Sequence, residues 1–153
     1  KIFPIRIDDH CLQSFVHGLA LNPKSTTLYE KALLRSNETE SSRDQCVAYT
    51  LLDTAGLNDR LGYIFGHMVP SRDTHSCIID CVYAFGCLRG KGYAKKLYEI
   101  LEKEACRRTR MVGSKSVLMR IEIKWCIEHS KKFWEQLGFT YTKVAMEKKV
   151  QFL

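Results

Sequence analysis

The sequence lacks several features that mark whole classes of protein. Its seven cysteines are odd in number and form no Cys-x-x-Cys pair, which argues against a disulfide framework and for reduced thiols in the cytoplasm or nucleus. The five histidines show no ligand spacing, so no structural metal is expected. A basic start followed by a long apolar core is also missing, so neither a signal segment nor a membrane-spanning segment is predicted.

What the chain has in excess is positive charge. Lys and Arg number 24 against 17 Asp and Glu, giving a net charge of +7, which favours anionic partners without selecting one. The excess lies in short groups that fit solvated faces of helices and strands, so nucleic acid is not expected to be the primary ligand. These groups are Lys95-Lys96, Arg107-Arg108 with Arg110, Lys131-Lys132 and Lys148-Lys149.

The length of 153 residues and 45% hydrophobic content predict one domain over residues 1–153. The chain starts at Lys1 rather than Met, which suggests a piece cut from a longer protein. Apolar patterning predicts an α+β fold around one sheet, without internal repeats. The predicted order is a strand at 2–7, helices from residues 8 and 25, a polar loop at 36–42, strands at 46–52, 61–69 and 76–85, a helix after residue 92, a strand at 117–123, a helix at 130–137, and one or two strands within 139–150.

A glycine-rich turn between a predicted strand and a predicted helix is the most informative local feature. Gly90 and Gly92 allow backbone conformations closed to other residues and bring N–H groups close to a ligand. The first turn of the following helix adds unpaired N–H groups and positive potential, which suits a pyrophosphate. The alternative is an ordinary turn that feeds a surface helix. A dinucleotide fold or a P-loop is excluded, because the required strand-helix alternation and the Gly-Lys-Ser/Thr ending are missing.

Two motifs resemble the GNAT superfamily of N-acetyltransferases. Arg89, Gly92 and Ala94 match the family's acetyl-CoA signature of Gln or Arg followed by xxGxG/A. Downstream, the segment from Phe133 to Phe139 is similar to the family's Phe-Tyr-x-x-x-Gly-Phe element. The resemblance extends from about residue 46 to the end of the chain.

The resemblance implies a mixed, mostly antiparallel central sheet flanked by helices, with the fourth and fifth strands splayed apart to admit the pantetheine arm of acetyl-CoA. It implies that backbone groups of the fourth strand contact the acyl arm and that the glycine turn holds the pyrophosphate. The expected cofactor-binding residues are Val82, Tyr83, Ala84, Leu88, Arg89, Gly90, Lys91, Gly92, Tyr93, Ala94 and Phe133.

Transfer of an acetyl group to an amine requires a base, because a lysine-type amine with a pKa of about 10.4 is protonated at neutral pH. Asp80, nine residues before Arg89, is the first candidate, and Glu122 is the second. For both, the alternative is an acid on the solvent face of a strand. His67 and His75 are further candidates that would act through water.

The chain departs from the family pattern at the residue that often protonates the departing thiolate. Trp134 occupies the position of the usual tyrosine, and an indole cannot supply that proton. Tyr141 is therefore named as the candidate acid, with Tyr83, Cys126 and solvent as alternatives. Ile127 is a second departure, because relatives often have Asn there. Cys126 and Cys87 are interpreted as structural thiols.

The sequence thus predicts an N-acetyltransferase with acetyl-CoA as cosubstrate and a primary amine as acceptor, either a protein lysine or N-terminus or a small amine. The alternative is a catalytically weak CoA-binding or scaffold module in a larger assembly, for which Trp134 is one reason. A nucleic-acid-binding domain ranks third and would show salt-steep affinity and no response to CoA. A strongly basic acceptor is disfavoured by the net charge.

Overall fold

Seven strands form one mixed sheet in the part of the chain that the structure describes, in the order β1-β2-β3-β4-β5-β7-β6. The computed structural model describes residues 2–6, 46–53, 59–72, 74–84, 90–122, 128–143 and 145–152. The helices predicted from residues 8 and 25 and the loop at 36–42 lie outside these ranges. The strands are β1 Ile2–Arg6, β2 Cys46–Asp53, β3 Asp59–Val69, β4 His75–Ala84, β5 Ser116–Glu122, β6 Thr140–Tyr141 and β7 Ala145–Gln151.

The first four strands pair in chain order and antiparallel, which confirms the predicted meander. β3 lies inside the sheet, between β2 and β4. Apolar side chains point to both of its faces, as expected for a strand that is covered on both faces. Leu61, Ile64 and Phe65 are all buried. Gly66 lies where the strands approach closely, since a Cβ atom there would stand 2.8 Å from the carbonyl oxygen of Ile78. The predicted bounds of these strands are confirmed to within two residues.

A long amphipathic helix connects β4 to β5. Helix α1 spans Tyr93–Met111, and its residues Leu97, Leu101 and Ala105 are fully buried at the helical spacing that the sequence predicts. They pack against the inner strands together with Cys77, Ile79 and Met119 in one core. The connection makes β5 parallel to β4, as a crossover helix does.

The parallel ladder between β4 and β5 is short, so the two strands separate within the sheet. It joins His75–Ile78 to Val117–Arg120. β4 then runs six residues further, to Ala84, and pairs there with β3, whereas β5 continues to Glu122 alongside β7. No ladder joins these two described stretches. We call the space between Ile79–Ala84 and Ile121–Glu122 the fork; it confirms the predicted splay of the fourth and fifth strands.

The last third of the chain closes the sheet and contributes an aromatic cluster. Helix α2 spans Glu128–Gln136, and Gly138 follows it with a φ of 97°, as expected for a glycine after a helix end. Trp134 of α2 is 1% exposed and packs edge-on against Tyr98 of α1 and against Phe139. The two closing strands are β6 and β7. Neither α1 nor α2, the helices described, is both long and apolar enough to cross a membrane.

Candidate active site

The glycine turn before α1 has the backbone geometry that the sequence predicts. Gly90 and Gly92 have φ values of 83° and 80°, in the region that L side chains rarely adopt. Both are exposed, and a Cβ atom built on either would meet no heavy atom within 4 Å. The turn therefore presents open space next to backbone amides, which is the space that a bound group would fill.

The start of α1 supplies donors to this space. Gly92 is the N-cap residue and has no side chain to cap the helix, and the first turn contains no acidic residue. The first intrahelical bond runs from the Lys96 amide to the Gly92 carbonyl at 3.0 Å, so the amides of Tyr93, Ala94 and Lys95 have no acceptor within the helix. Together with the exposed side chains of Lys91, Lys95 and Lys96, these amides form a site that suits a multiply charged anion. Two further residues of the predicted site, Leu88 and Arg89, lie outside the described residues.

The fork lies along the strand that leads into the turn. Val82, Tyr83 and Ala84 are the last residues of β4. Each pairs with β3 on one side, and no ladder joins its other side to a described strand. Strand residues beyond the end of a ladder present main-chain N–H and C=O groups that an extended ligand can use. The structure thus brings the predicted acyl-arm residues and the glycine turn onto one continuous segment at the same end of the sheet.

Asp80 sits at an irregularity of β4 inside the fork. Phe65 is opposite Cys81 and Gly66 is opposite Ile79, so Asp80 is the extra residue of a β-bulge. The register alone makes it the second residue past the last rung with β5. The bulge therefore leaves Asp80 without a directly opposite residue on β3, close to the point where β4 leaves β5.

The Asp80 carboxylate is buried and contacts a histidine. Its exposed fraction is 8%, and its Oδ2 atom lies 2.8 Å from Nδ1 of His67 on β3, whose side chain is 16% exposed. An ionised carboxylate only accepts hydrogen bonds, so the Nδ1–H of His67 is the donor when Asp80 is charged. Burial and a specific partner distinguish Asp80 from an acid on a solvent face.

The faces of the sheet explain which side chains meet. Residues directly opposite on neighbouring strands share a face. A Cβ atom on Gly66 would lie 3.6 Å from Leu101 of α1, so Gly66 and its partner Ile79 face that helix. His67 and its partner Ile78 therefore face away from α1. The pair of His67 and Asp80 lies on this second face, which we call the outer face.

Tyr141 is not brought together with Asp80. It lies on the edge strand β6, with β7 and β5 between it and β4. It is 56% exposed and its ring lies 4.5 Å from Nζ of Lys131 on α2. Tyr141 is opposite Met146 of β7, and Met146 is in turn opposite Ile121 of β5. Ile121 and Met146 belong to the core under α1, so Tyr141 is on the α1 side of the sheet. Two strands and a change of face separate the two side chains.

The other candidates take different places. The backbone of Glu122 ends β5 at the open side of the fork, opposite Ala145 of β7. Phe133 is half-buried and packs edge-on against Trp134 in the aromatic cluster. His75 begins β4 at the far end from the fork, where its Nδ1 lies 3.0 Å from the hydroxyl of Ser114. Cys87, Cys126 and Ile127 lie outside the described residues.

The described cysteines have the character of core residues. Cys77 is fully buried, and burial raises the pKa of its thiol to about 12, with the charge of Asp80 adding to the effect. The pKa of the half-buried Cys106 is also raised, mainly by burial. Neither thiol can form a thiolate at neutral pH, so neither has the reactivity of a nucleophile.

Comparison with known proteins gives the same architecture, although no family sequence profile and no curated protein sequence matches the chain. A GNAT-family acetyltransferase from Desulfovibrio desulfuricans superposes with a TM-score of 0.67 at 10% identity, over 99% of this chain and 99% of that one. Arabidopsis thaliana NAA60 in complex with acetyl-CoA gives 0.67 at 10% identity, over 98% and 99%. The ribosomal-protein-S18-alanine N-acetyltransferase of Escherichia coli gives 0.65 at 12% identity, over 100% and 96%. The chain has the GNAT fold.

Within this GNAT fold, the pairing of His67 with Asp80 is the feature that sequence reasoning missed. Each residue was a separate candidate, with His67 expected to act only through water. The contact depends on the register of the β3–β4 hairpin, which places His67 opposite Ile78 and therefore on the same face as Asp80, two residues further along β4. The only signal in the sequence was Gly66 beside His67, a glycine inside an otherwise apolar strand, which can mark a bulge or a close approach.

Proposed function

We propose that this protein is an N-acetyltransferase that moves the acetyl group of acetyl-CoA to a primary amine, most simply a protein N-terminus or lysine. The main observation behind the proposal is that three features lie on one segment, from the end of β4 to the start of α1. These are the end of the β4–β5 ladder, a buried carboxylate at that point, and an open glycine turn at a helix start. The GNAT fold, and neighbours of that fold named as N-acetyltransferases, support it.

The residues of the turn fit the diphosphate of acetyl-CoA. The amides of Tyr93 and Ala94 would hold it, with Gly90 and Gly92 keeping side chains out of the way and Lys91 adding positive charge. Main-chain groups of Val82, Tyr83 and Ala84 would hold the acyl arm, and Leu88 and Arg89 complete the proposed set. Acetyl-CoA supplies an activated acetyl group as a thioester.

In the proposed reaction the amine nitrogen of the acceptor attacks the thioester carbonyl. A C–N bond forms, the C–S bond breaks, and coenzyme A leaves as a thiolate. Asp80 takes the proton that the amine must lose, and His67 is a positioning residue that holds the carboxylate through its Nδ1–H. We assign the proton of the thiolate to solvent rather than to Tyr141, because Tyr141 lies on the other face of the sheet. Glu122 remains a second proposed base at the mouth of the fork.

Two measurements test the proposal. Calorimetric titration with acetyl-CoA, with coenzyme A and with ATP as controls, should give binding of the first two only. Release of coenzyme A thiol should then be followed over a set of amines: N-terminal peptides, lysine peptides and small amines. Binding followed by amine-dependent release supports the enzyme. Tight binding without transfer to any amine would favour the alternative, a CoA-binding module, and no binding would reject both.

A further inference from the structure

A second charged residue stands at the fork on the same face as Asp80. Arg120 of β5 is opposite Ile78 in the last rung of the β4–β5 ladder. Its neighbour Met119 is paired with Lys148, whose Nζ lies 3.0 Å from Glu102 of α1, so that position faces α1. Arg120, one residue further, therefore faces the opposite way, onto the outer face with His67 and Asp80.

The guanidinium of Arg120 has no compensating partner in the described part of the chain. The side chain is half-buried, and its Nε atom is buried without a hydrogen-bond partner. Glu147 is directly opposite on β7, yet no ion pair within 4.0 Å joins the two among the described residues. A buried donor without a partner is destabilising, and more so when it is charged, so an anion or a carbonyl oxygen that reaches Arg120 would be bound favourably.

The position of Arg120 fits a group on the acceptor. Asp80 lies two residues after Ile78, which is the partner of Arg120. The backbones of Asp80 and Arg120 are therefore separated by roughly the 7–8 Å diagonal spacing of neighbouring strands, and by more where the strands diverge at the fork. If the amine nitrogen of an acceptor reaches Asp80, acceptor atoms that are a few bonds from this nitrogen would lie next to Arg120. A guanidinium binds carboxylates in a two-pronged, charge-assisted geometry. The net charge of +7 also favours an acidic acceptor over a basic one.

We infer that Arg120 determines acceptor specificity by binding a carboxylate, so that the preferred acceptors are primary amines with a carboxylate a few bonds from the nitrogen. The inference rests on the proposed acetyl transfer. The same chemistry can come from a free amino acid or from the acidic N-terminus of a peptide, and the acceptor set separates these two sources.

The test compares matched acceptors with the unmodified protein. One arm uses free α-amino acids against their amides, and the other uses peptides that differ only in aspartate or asparagine as the second residue. The carboxylate form should be preferred about tenfold or more in kcat/KM in one of the arms, as expected for one charge-assisted pair. The variant Arg120→Gln should lose that preference through KM, with kcat for the neutral acceptor and the Kd for acetyl-CoA kept within about twofold. Arg120→Lys should retain part of the preference.

Lys149→Gln is the matched control. Lys149 is on β7 opposite Leu118, so the substitution removes one positive charge from the outer face of the sheet, away from the fork. It should leave the preference intact. Transfer without any carboxylate preference in either arm overturns this inference alone, and so does an Arg120→Gln variant that weakens acetyl-CoA binding instead of acceptor binding. Failure of all amines to release coenzyme A overturns the proposed function and this inference with it. Because the acceptor pairs are measured with the unmodified protein, the result does not depend on the folding of a variant.

Discussion

The Nδ1 atom of His67 and the Oδ2 atom of Asp80 lie 2.8 Å apart, across β3 and β4, two residues past the last rung between β4 and β5. In the proposed reaction the base must lie where the thioester and the amine meet, and the fork is where an extended acyl arm would contact β4. The contact between His67 and Asp80 follows from the register of β3 and β4, which places His67 opposite Ile78, two residues before Asp80.

Asp80→Asn should slow acetyl transfer about a hundredfold or more, because an amide cannot accept the proton of the amine. The amide oxygen can still accept a hydrogen bond from His67, so the free energy of unfolding should change by only about 1 kcal/mol. Steady-state kinetics and acetyl-CoA calorimetry on the same sample measure the two effects. An unchanged kcat would exclude Asp80 as the base and move the role to Glu122 or to water.

His67→Ala should lower kcat roughly tenfold, because the carboxylate loses the donor that fixes its orientation. His67→Asn can place an amide N–H near the position of Nδ1 and should recover part of the rate. The Kd for acetyl-CoA should be the same in both. Equal losses in the two variants would show that His67 does more than position Asp80.

Gly92→Glu should abolish the rise in melting temperature that acetyl-CoA produces, because the side chain puts an anion and bulk into the open space of the turn. The substitution also imposes strain, since the φ of Gly92 is 80°. Gly113→Glu is the matched control: its φ is 88°, it also has open space around it, and it follows the opposite end of α1. Both variants should lose similar stability, but only Gly92→Glu should lose the response to acetyl-CoA. A normal response in Gly92→Glu would place the anion elsewhere.

The sequence predicted well what depends on local patterns. The meander, the buried face of α1 with Leu97 and Leu101, and the positive φ at Gly90 and Gly92 follow from apolar spacing and from the freedom of glycine. It did not predict where the short closing strand β6 pairs in the sheet. Tyr141 follows the Phe-Trp motif closely in the chain, but β6 pairs outside β7, and that pairing carries the side chain away from β4.

Tyr141→Phe should leave the transfer rate within about twofold of the unmodified protein, because its ring is exposed at the edge strand on the α1 side. Trp134→Ala should instead lower stability by about 3–5 kcal/mol, since it removes a buried indole from a cluster with Tyr98 and Phe139. Trp134→Phe should lose less, and its activity per folded molecule should be unchanged. Denaturant titration and kinetics at a temperature where each variant is folded separate the two roles. A large rate loss in Tyr141→Phe would restore Tyr141 as the acid.

The stability of α1 should depend on pH through Glu104. Its carboxylate is held by Arg107 at 2.6 Å and Arg108 at 3.0 Å, and hydrogen bonds, that of Arg107 first, lower the pKa of Glu104 from 4.5 to about 2 against the opposing effect of burial. Because the folded-state pKa is depressed, the stabilisation is present above pH 4.5 and is lost as the pH falls toward 2. Arg107 is exposed to solvent, so the contribution is small and decreases with salt.

Glu104→Gln should therefore be less stable than the unmodified protein at pH 6, and the difference in free energy of unfolding should shrink between pH 4.5 and pH 2. Glu99→Gln on the same helix is the matched control, because its carboxylate is 59% exposed and lies 4.0 Å from Lys95. It should produce a smaller difference at pH 6. Urea titrations at several pH values measure these differences. If the Glu104→Gln difference stayed constant down to pH 2, the two arginines would stabilise α1 through packing of their aliphatic stems rather than through the charge of Glu104.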